Sequence, residues 1–354
     1  MKIFKTFIIG LFIIAVLFVL NPNAMQMIKG LNMSDPEISE IAKFSFEYGP
    51  NMSFVGFDEG IAIYNGRDIR GVDRKGNTAF DIEWRTNDFD IEGFGDKLLF
   101  LDRIKRTLIL IDKKGNILKQ INFGEKPLSI EALGKGRFIV HYVYDLNEKA
   151  EGIRVFSSSG KQIKDIQIAN ITILFINTDK DSNGFIMSGI SIEDNRLYNN
   201  IMHYSRDGDL MSGEKTENKV FAGALHSNGK FVLWEENYIE IRDSELKYVN
   251  SIYSDSGIIG VEDIGDAFVV ADESNTIRVY SYDGREQSIH RYGEKLKGTV
   301  SAGSKIILYT QMRLDVLDSD DTFDVKNDIL EVIRIDEKSV AAICRGEAKI
   351  LLVN

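Results

Sequence analysis

One hairpin signature returns along the whole chain: an apolar strand, then Asp or Ser, two free positions, Gly, and a second strand. Clear copies are VDRKGN (72–77), IDKKGN (111–116), FSSSGK (156–161), YSRDGD (204–209) and SYDGR (281–285). Two worn copies, IRDSEL (241–246) and VLDSDDTF (316–323), lack the glycine but keep the beat. The turn-opening residues Asp73, Asp112, Ser157, Ser205, Asp243, Ser281 and Asp318 are separated by 39, 45, 48, 38, 38 and 37 residues. A short Asp or Ser side chain bonds the backbone two residues on, and Gly supplies the positive φ that closes a bulged hairpin. The flanking runs are four to six residues long and rich in β-branched types, as in LILI (108–111), which is strand chemistry rather than helix chemistry. Short strands repeating at that interval specify propeller blades. A sandwich of unrelated hairpins would not hold one spacing from end to end.

The expected fold is therefore all-β: an eight-bladed β-propeller of four-stranded blades, with seven blades as the alternative if residues 51–84 are degenerate. The first blade reads NMSFVGF, GIAIYNG, DIRGVD and NTAFDIEW. Later inner strands fall near Ile91, Ser129, Ile171, Val220, Ile259 and Thr299, and an eighth begins at Ile329. The C-terminal blade runs out after three strands, LEVIRI, SVAAIC and KILLVN. Residues 40–48, EIAKFSFEY, supply the missing outer strand, and pairing them with 349–354 removes two open edges. Four prolines in 354 residues suit a chain in which most residues must donate to a ladder. With each blade burying its faces against its neighbours, 38–354 reads as one domain.

The N-terminus carries a second signal. Residues 7–20, FIIGLFIIAVLFVL, hold no charge, and Lys2 and Lys5 precede them. Basic residues ahead of an apolar run place the chain beyond it outside the cytoplasm. Fourteen residues are short for a span, but NPNAMQMI extends the run to Ile28. The expectation is a signal anchor over 1–30, one transmembrane helix, then a linker over 31–37 and an extracytoplasmic propeller on the cytoplasmic membrane. A cleaved signal and a secreted protein are the alternative. Pro22 at the −3 position of the only small-residue cleavage site argues against cleavage.

Composition narrows the function. Beyond residue 30 the chain has 40 basic and 54 acidic residues, a charge of −14, which excludes a phosphate-backbone footprint. Cys344 stands alone, so no internal disulfide forms, and its SVAAIC context reads as core. His141, His203, His226 and His290 sit on four blades without metal-ligand spacing, and no nucleophile elbow or phosphate loop appears. Asp179, Asp181, Asn183 and Gly184 match the opening of a calcium loop. Met187 and Ile190 occupy the positions where that loop needs oxygen ligands, so calcium stands beside an ordinary turn as an alternative. No other cofactor is expected.

The two long repeat intervals come from YDLNEKAEG (144–152) and SIEDNRLYNN (191–200), between the second and third strands of blades three and four. Read as raised loops, they form a candidate binding surface: Tyr142, Tyr144 and Tyr198 as anchors, with Asp145, Glu148, Glu151, Glu193 and Asp194 around them.

The [Asp/Ser]-x-x-Gly hairpins and the N-terminal run together resemble the uncharacterised bacterial membrane-anchored β-propeller proteins of the quinoprotein-like/WD40-like superfamily. That resemblance covers the chain from about residue 38 and implies fold and topology rather than an activity. Quinoprotein dehydrogenases carry a tryptophan docking motif in most blades and a vicinal cysteine pair. This chain has Trp84, Trp234 and one cysteine. The expected function is a non-catalytic module binding a protein, peptide or envelope glycan. The alternative is a propeller enzyme, either a degenerate quinoprotein-like oxidoreductase or a carboxylate-based glycan hydrolase or lyase.

Overall fold

The computed structural model describes residues 37–354 apart from 135, 145, 146 and 179–183, with the side chains of 147–149 also left out. The apolar run at 7–20 and its extension to Ile28 lie outside the described residues. No helix among the described residues is long and apolar enough to cross a membrane.

The described chain is all β, with 32 strands arranged in eight four-stranded antiparallel sheets. Inner strands of successive sheets are Ser53–Phe57, Phe89–Phe94, Lys126–Leu133, Thr172–Thr178, Gly223–Ser227, Ile258–Asp263, Gly298–Ala302 and Ile329–Arg334. They touch in cyclic order, and Ile329–Arg334 meets Ser53–Phe57, so blades one to eight close a ring. Seven blades are thereby set aside. The fifth inner strand begins at Gly223, and Val220, expected near it, sits in the connection from blade four.

The eighth blade is composite. Ile329–Arg334, Ser339–Cys344 and Glu347–Val353 come from the C-terminal end, and Ile38–Ser45 pairs with the last of them as the outermost strand. The pairing runs from Ile38 opposite Val353 to Ser45 opposite Glu347, so the strand begins two residues and ends three residues earlier than the sequence reading places it. A bulge between Glu40 and Ala42 also leaves Ile41 38% exposed, while Phe44 and Phe46 pack on the core. Alternation alone does not reveal a bulge, because the extra residue shifts the side-chain parity.

The recurring turns form as their chemistry requires. Asp73 Oδ1 accepts from the backbone N–H of Lys75 (2.9 Å) and Asn77 (2.8 Å), and Gly76 takes φ 82°. Asp112 and Asp243 repeat both bonds, and Ser157 and Ser205 repeat the second through a hydroxyl. In the worn copy at 241–246, Leu246 takes the left-handed conformation at φ 64° and is fully buried, so packing holds what Gly would otherwise permit.

The core lies between blades. Leu99, Leu101, Leu108 and Leu110 of blade two meet Phe138, Val140 and Phe156 of blade three. Ile61 and Ile63 of blade one meet Ala341, Ile343 and Ile350 of blade eight across the closure. Middle strands are covered on both faces and so read as unbroken apolar runs.

Around the axis the inner strands approach backbone to backbone. A Cβ on Gly93 would lie 2.0 Å from the carbonyl oxygen of Gly56, and one on Gly56 would lie 2.3 Å from that of Arg334. Neither neighbour is the end of a flexible side chain, so neither yields. We expect Gly93→Ala to destabilise the propeller by roughly 2–3 kcal/mol through this overpacking. Urea titration checks it; an unchanged midpoint would mean the blades can part at no cost.

Candidate functional site

In an antiparallel blade the hairpin joining the second and third strands emerges at the same end as the blade-to-blade connection. The two insertions expected there as loops are extended strands. Gly184–Glu193 pairs with Arg196–Ser205 without a break, and Asp194 and Asn195 turn the chain at φ 50° and 62°. Two adjacent positive-φ residues give the turn whose twist matches paired strands. The strands Arg137–Tyr144 and Asn147–Ser157 also pair in blade three, with a break in register between Val143, opposite Glu151, and Tyr144, opposite Asn147.

Strand geometry decides which of the expected contact residues reach the surface. Tyr142 is fully buried: its ring fills the space where Gly152, opposite it, lacks a side chain, and its hydroxyl donates to Asp165 Oδ1. The Arg154 guanidinium stacks 4.4 Å from that ring and pairs with Asp165 and Glu125. Burial, with the bond to Asp165 added, pushes the Tyr142 hydroxyl well above the usual tyrosine range. Glu151 is also buried, accepting from His141 Nε2 (2.7 Å) and from the Ile173 N–H (3.1 Å), and so ties blade three to blade four. Both were expected as surface contacts, and both are internal because alternate residues of a strand face opposite ways.

Tyr144, Glu193, Asp194 and Tyr198 do stand on the hairpin face. Lys215 pairs with Glu193 and lies 4.1 Å from the Tyr198 ring centroid. Asp145 and the side chain of Glu148 lie outside the described residues, as do Asp179, Asp181 and Asn183.

Exposed large apolar side chains are distributed unevenly. Some lie on the outermost strands, as with Leu118, Leu210 and Tyr248. Leu174 and Ile259 lie on inner strands, and Tyr48, Ile104, Ile192, Val220, Tyr253 and Met312 are exposed on the hairpin face. Ile192 and Tyr253 stand out at 74% and 76%. On the opposite face, the first–second and third–fourth turns carry none among the described residues.

The axis itself is acidic, which sequence reasoning missed. Glu92 and Glu131 lie on the inner strands of blades two and three, Glu262 and Glu331 on those of blades six and eight. Burial, reinforced by the charge of Asp90, raises the Glu92 carboxyl to about 7. Burial together with the charges of Glu92 and Asp90 raises Glu131 to about 8. Glu331 is raised by burial, and Tyr309 is raised by burial and by Glu331 and Glu262. Asp90 Oδ2 accepts from the Ile130 N–H at 3.0 Å and so joins blades two and three. The signal was present as Ile-Glu, Ile-Glu, Val-Glu and Leu-Glu at 91–92, 130–131, 261–262 and 330–331, each on an inner strand.

Other chemistry-bearing groups are structural. Cys344 is buried, and burial raises its thiol to about 11, which disfavours the nucleophilic thiolate. The rings of His203 and His226 lie 5.2 Å apart and pack on Phe231. Among the described residues no group of three or more His, Cys, Asp or Glu is arranged to hold a metal ion.

Known structures share this architecture. BamB from Moraxella catarrhalis is 11% identical, with a TM-score of 0.57 over 89% of this chain and 97% of its own. The C-terminal WD40 domain of Sif2 is 12% identical, with a TM-score of 0.55 over 90% of this chain and 98% of that one. BBS1N, solved in complex with ARL6DN, is 10% identical, with a TM-score of 0.51 over 73% and 87%. At these identities the likeness concerns the fold. No curated protein matches the chain. Residues 37–348 match the family described as "Family of unknown function (DUF5711)", and the chain belongs to that family.

Proposed function

We propose that the protein is a non-catalytic propeller that binds a protein partner on its hairpin face, held on the extracytoplasmic side of the cytoplasmic membrane by its N-terminal segment. The observation that carries this reading is the placement of exposed apolar side chains in the turns and connections of that face and their absence from the turns of the other among the described residues. Scattered exposed apolar residues are ordinary on any protein, but a repeat scaffold does not by itself place them in the turns and connections of one face and not in the turns of the other. The blade-four hairpin on this face is paired along its whole length, so a partner meets preorganised groups there and little ordering entropy is lost. BBS1N shows one propeller of this general fold engaged with another protein. The Lys2, Lys5 and 7–20 pattern supports the anchor.

Crosslinking in the native cell followed by affinity recovery tests the reading. Recovery of partner by a variant carrying Ile104→Asp, Ile192→Asp and Met312→Asp should fall roughly tenfold, since each replaces an apolar contact by a charge that must be desolvated. A variant with Lys75→Glu, Lys114→Glu and Arg206→Glu in the opposite turns should match wild type. Equal recovery by the first variant, or selective loss by the second, would overturn the assignment of the face.

A further inference from the structure

Each blade ends in an outermost strand whose far edge has no neighbour in its own sheet, and proteins commonly protect such edges with charge. Seven of the eight outermost strands carry Asp, Glu, Lys or Arg, as with Lys119 in Ile117–Asn122 and Glu214 in Leu210–Glu217. The outermost strand of blade five, Tyr248–Tyr253, reads Tyr-Val-Asn-Ser-Ile-Tyr and carries none. It holds no proline, and its bulge lies at the turn end, which leaves 250–253 regular. Tyr248, Val249 and Tyr253 are exposed along it. Charge stands only beyond its two ends, with Lys247 just before it and Asp255 two residues after it, both largely exposed.

Ladder parity shows which backbone groups this edge offers. Tyr253 lies opposite Tyr238, Ile252 opposite Ile239 and Asn250 opposite Ile241, and the Ser254 N–H donates to the Asn237 carbonyl at 2.9 Å. Bonded pairs alternate with unbonded ones along an antiparallel ladder. Ile252 and Asn250 therefore bond inward, and Ser251 and Tyr253 turn their N–H and C=O outward. The Ser251 N–H donates to Asn250 Oδ1 at 2.8 Å, a local bond that an arriving strand exchanges for a carbonyl. Lys247 pairs with Glu245, and Asp255 lies 3.4 Å from Arg278. Pairs with so exposed a member contribute little, so both end charges are open to a better partner.

We infer that the outermost strand of blade five pairs edge to edge, antiparallel, with the same strand of a second copy of this chain. Outward backbone groups specify a strand as the occupant, and the end charges select which strand. With Ser251 on the twofold axis, Lys247 faces Asp255 of the second copy at both ends. Val249 then faces Tyr253 of the second copy, a β-branched and aromatic pair of the kind that stabilises sheets. A parallel arrangement would set Lys247 against Lys247 and Asp255 against Asp255. The twofold contact is isologous and closes at two copies, so this edge makes a dimer rather than a fibre. The dimer joins the rims of two propellers and does not depend on what binds the hairpin face.

Disulfide trapping in the detergent-solubilised full chain tests the pairing, with Cys344 too buried to compete. Under mild oxidation Ser251→Cys should crosslink to itself, because residues paired across a ladder stand within disulfide reach. Val249→Cys and Tyr253→Cys should each stay uncrosslinked alone and crosslink when mixed, since each site lies about 13 Å from its own equivalent. In the Ser251→Cys background, Lys247→Asp should slow crosslinking about fivefold, and adding Asp255→Lys should restore it. Lys119→Asp, the same charge change on the outermost strand of blade two, should leave the rate unchanged. Absence of crosslinking by Ser251→Cys, or crosslinking of Val249→Cys alone, would overturn the antiparallel pairing. Equal slowing by Lys119→Asp would reduce the effect to net charge and overturn it as well.

Discussion

Removing residues 1–45, so that the chain begins at Phe46, should destabilise the propeller by roughly 4–6 kcal/mol. The eighth blade would lose its outermost strand and the ladder from Ile38 to Ser45. Ile38 is fully packed against Leu351, Val353 and Val316, and Ala42 and Phe44 cover Ala348 and Ile350. The Glu40–Lys349 ion pair, 3.2 Å, would go too, though a partly exposed pair contributes little. The loss is also topological, since this strand carries the N-terminal side of the chain into the ladder of the last blade. Urea denaturation of the truncated and full-length proteins, followed by fluorescence of Trp84 and Trp234, measures it. An unchanged midpoint would show the strand to be an attachment rather than a closure.

The second large effect is a pH dependence set by the acidic axis. A carboxyl whose folded pKa lies above its unfolded value binds its proton more tightly in the folded chain. Below about pH 4.5 Glu92 and Glu131 are protonated in both states and cost nothing. As pH rises toward 7 and 8, where the folded carboxyls titrate, the unfolded chain ionises freely and stability is lost. Because the two groups repel each other, their shifts do not simply add. The Glu92→Gln/Glu131→Gln variant should equal wild type near pH 4 and exceed it by about 3 kcal/mol at pH 8.5, roughly 4 °C in melting temperature. Groups shifted the other way do not interfere. Burial would raise Asp102 and Asp272, but bonds from Lys105, Trp84, Ser274 and Thr276 outweigh it, and their effect falls below pH 4. A stability difference that does not change with pH would exclude protonation as its cause.

How much of this was legible beforehand depends on the range over which each feature is encoded. The bulged turns at Asp73, Asp112 and Ser157 lie within five residues of sequence, so reading them required only the hydrogen-bonding reach of a short side chain. Their spacing then specified blades, and counting strands at the two ends specified a composite eighth blade. Even there the detail escaped: the strand begins at Ile38 and not at Glu40, and a bulge leaves Ile41 exposed. The surface was less legible. Polar residues in the long intervals looked like loop, but Gly152 opposite Tyr142 and the Asp194-Asn195 turn mark paired strands. Glu151 then became an internal acceptor instead of a contact residue.

By itself, then, the sequence determined the repeating unit, the composite last blade and the core character of Cys344, because each follows from local turn chemistry, periodicity or composition, while the ring contacts decided eight blades over seven. Tertiary structure alone decided that four glutamates following apolar residues would share one axis. It alone set the approach of Gly93 to the carbonyl of Gly56. Those properties belong to environments assembled from separate blades, where desolvation and repulsion are summed over neighbours that no local pattern names.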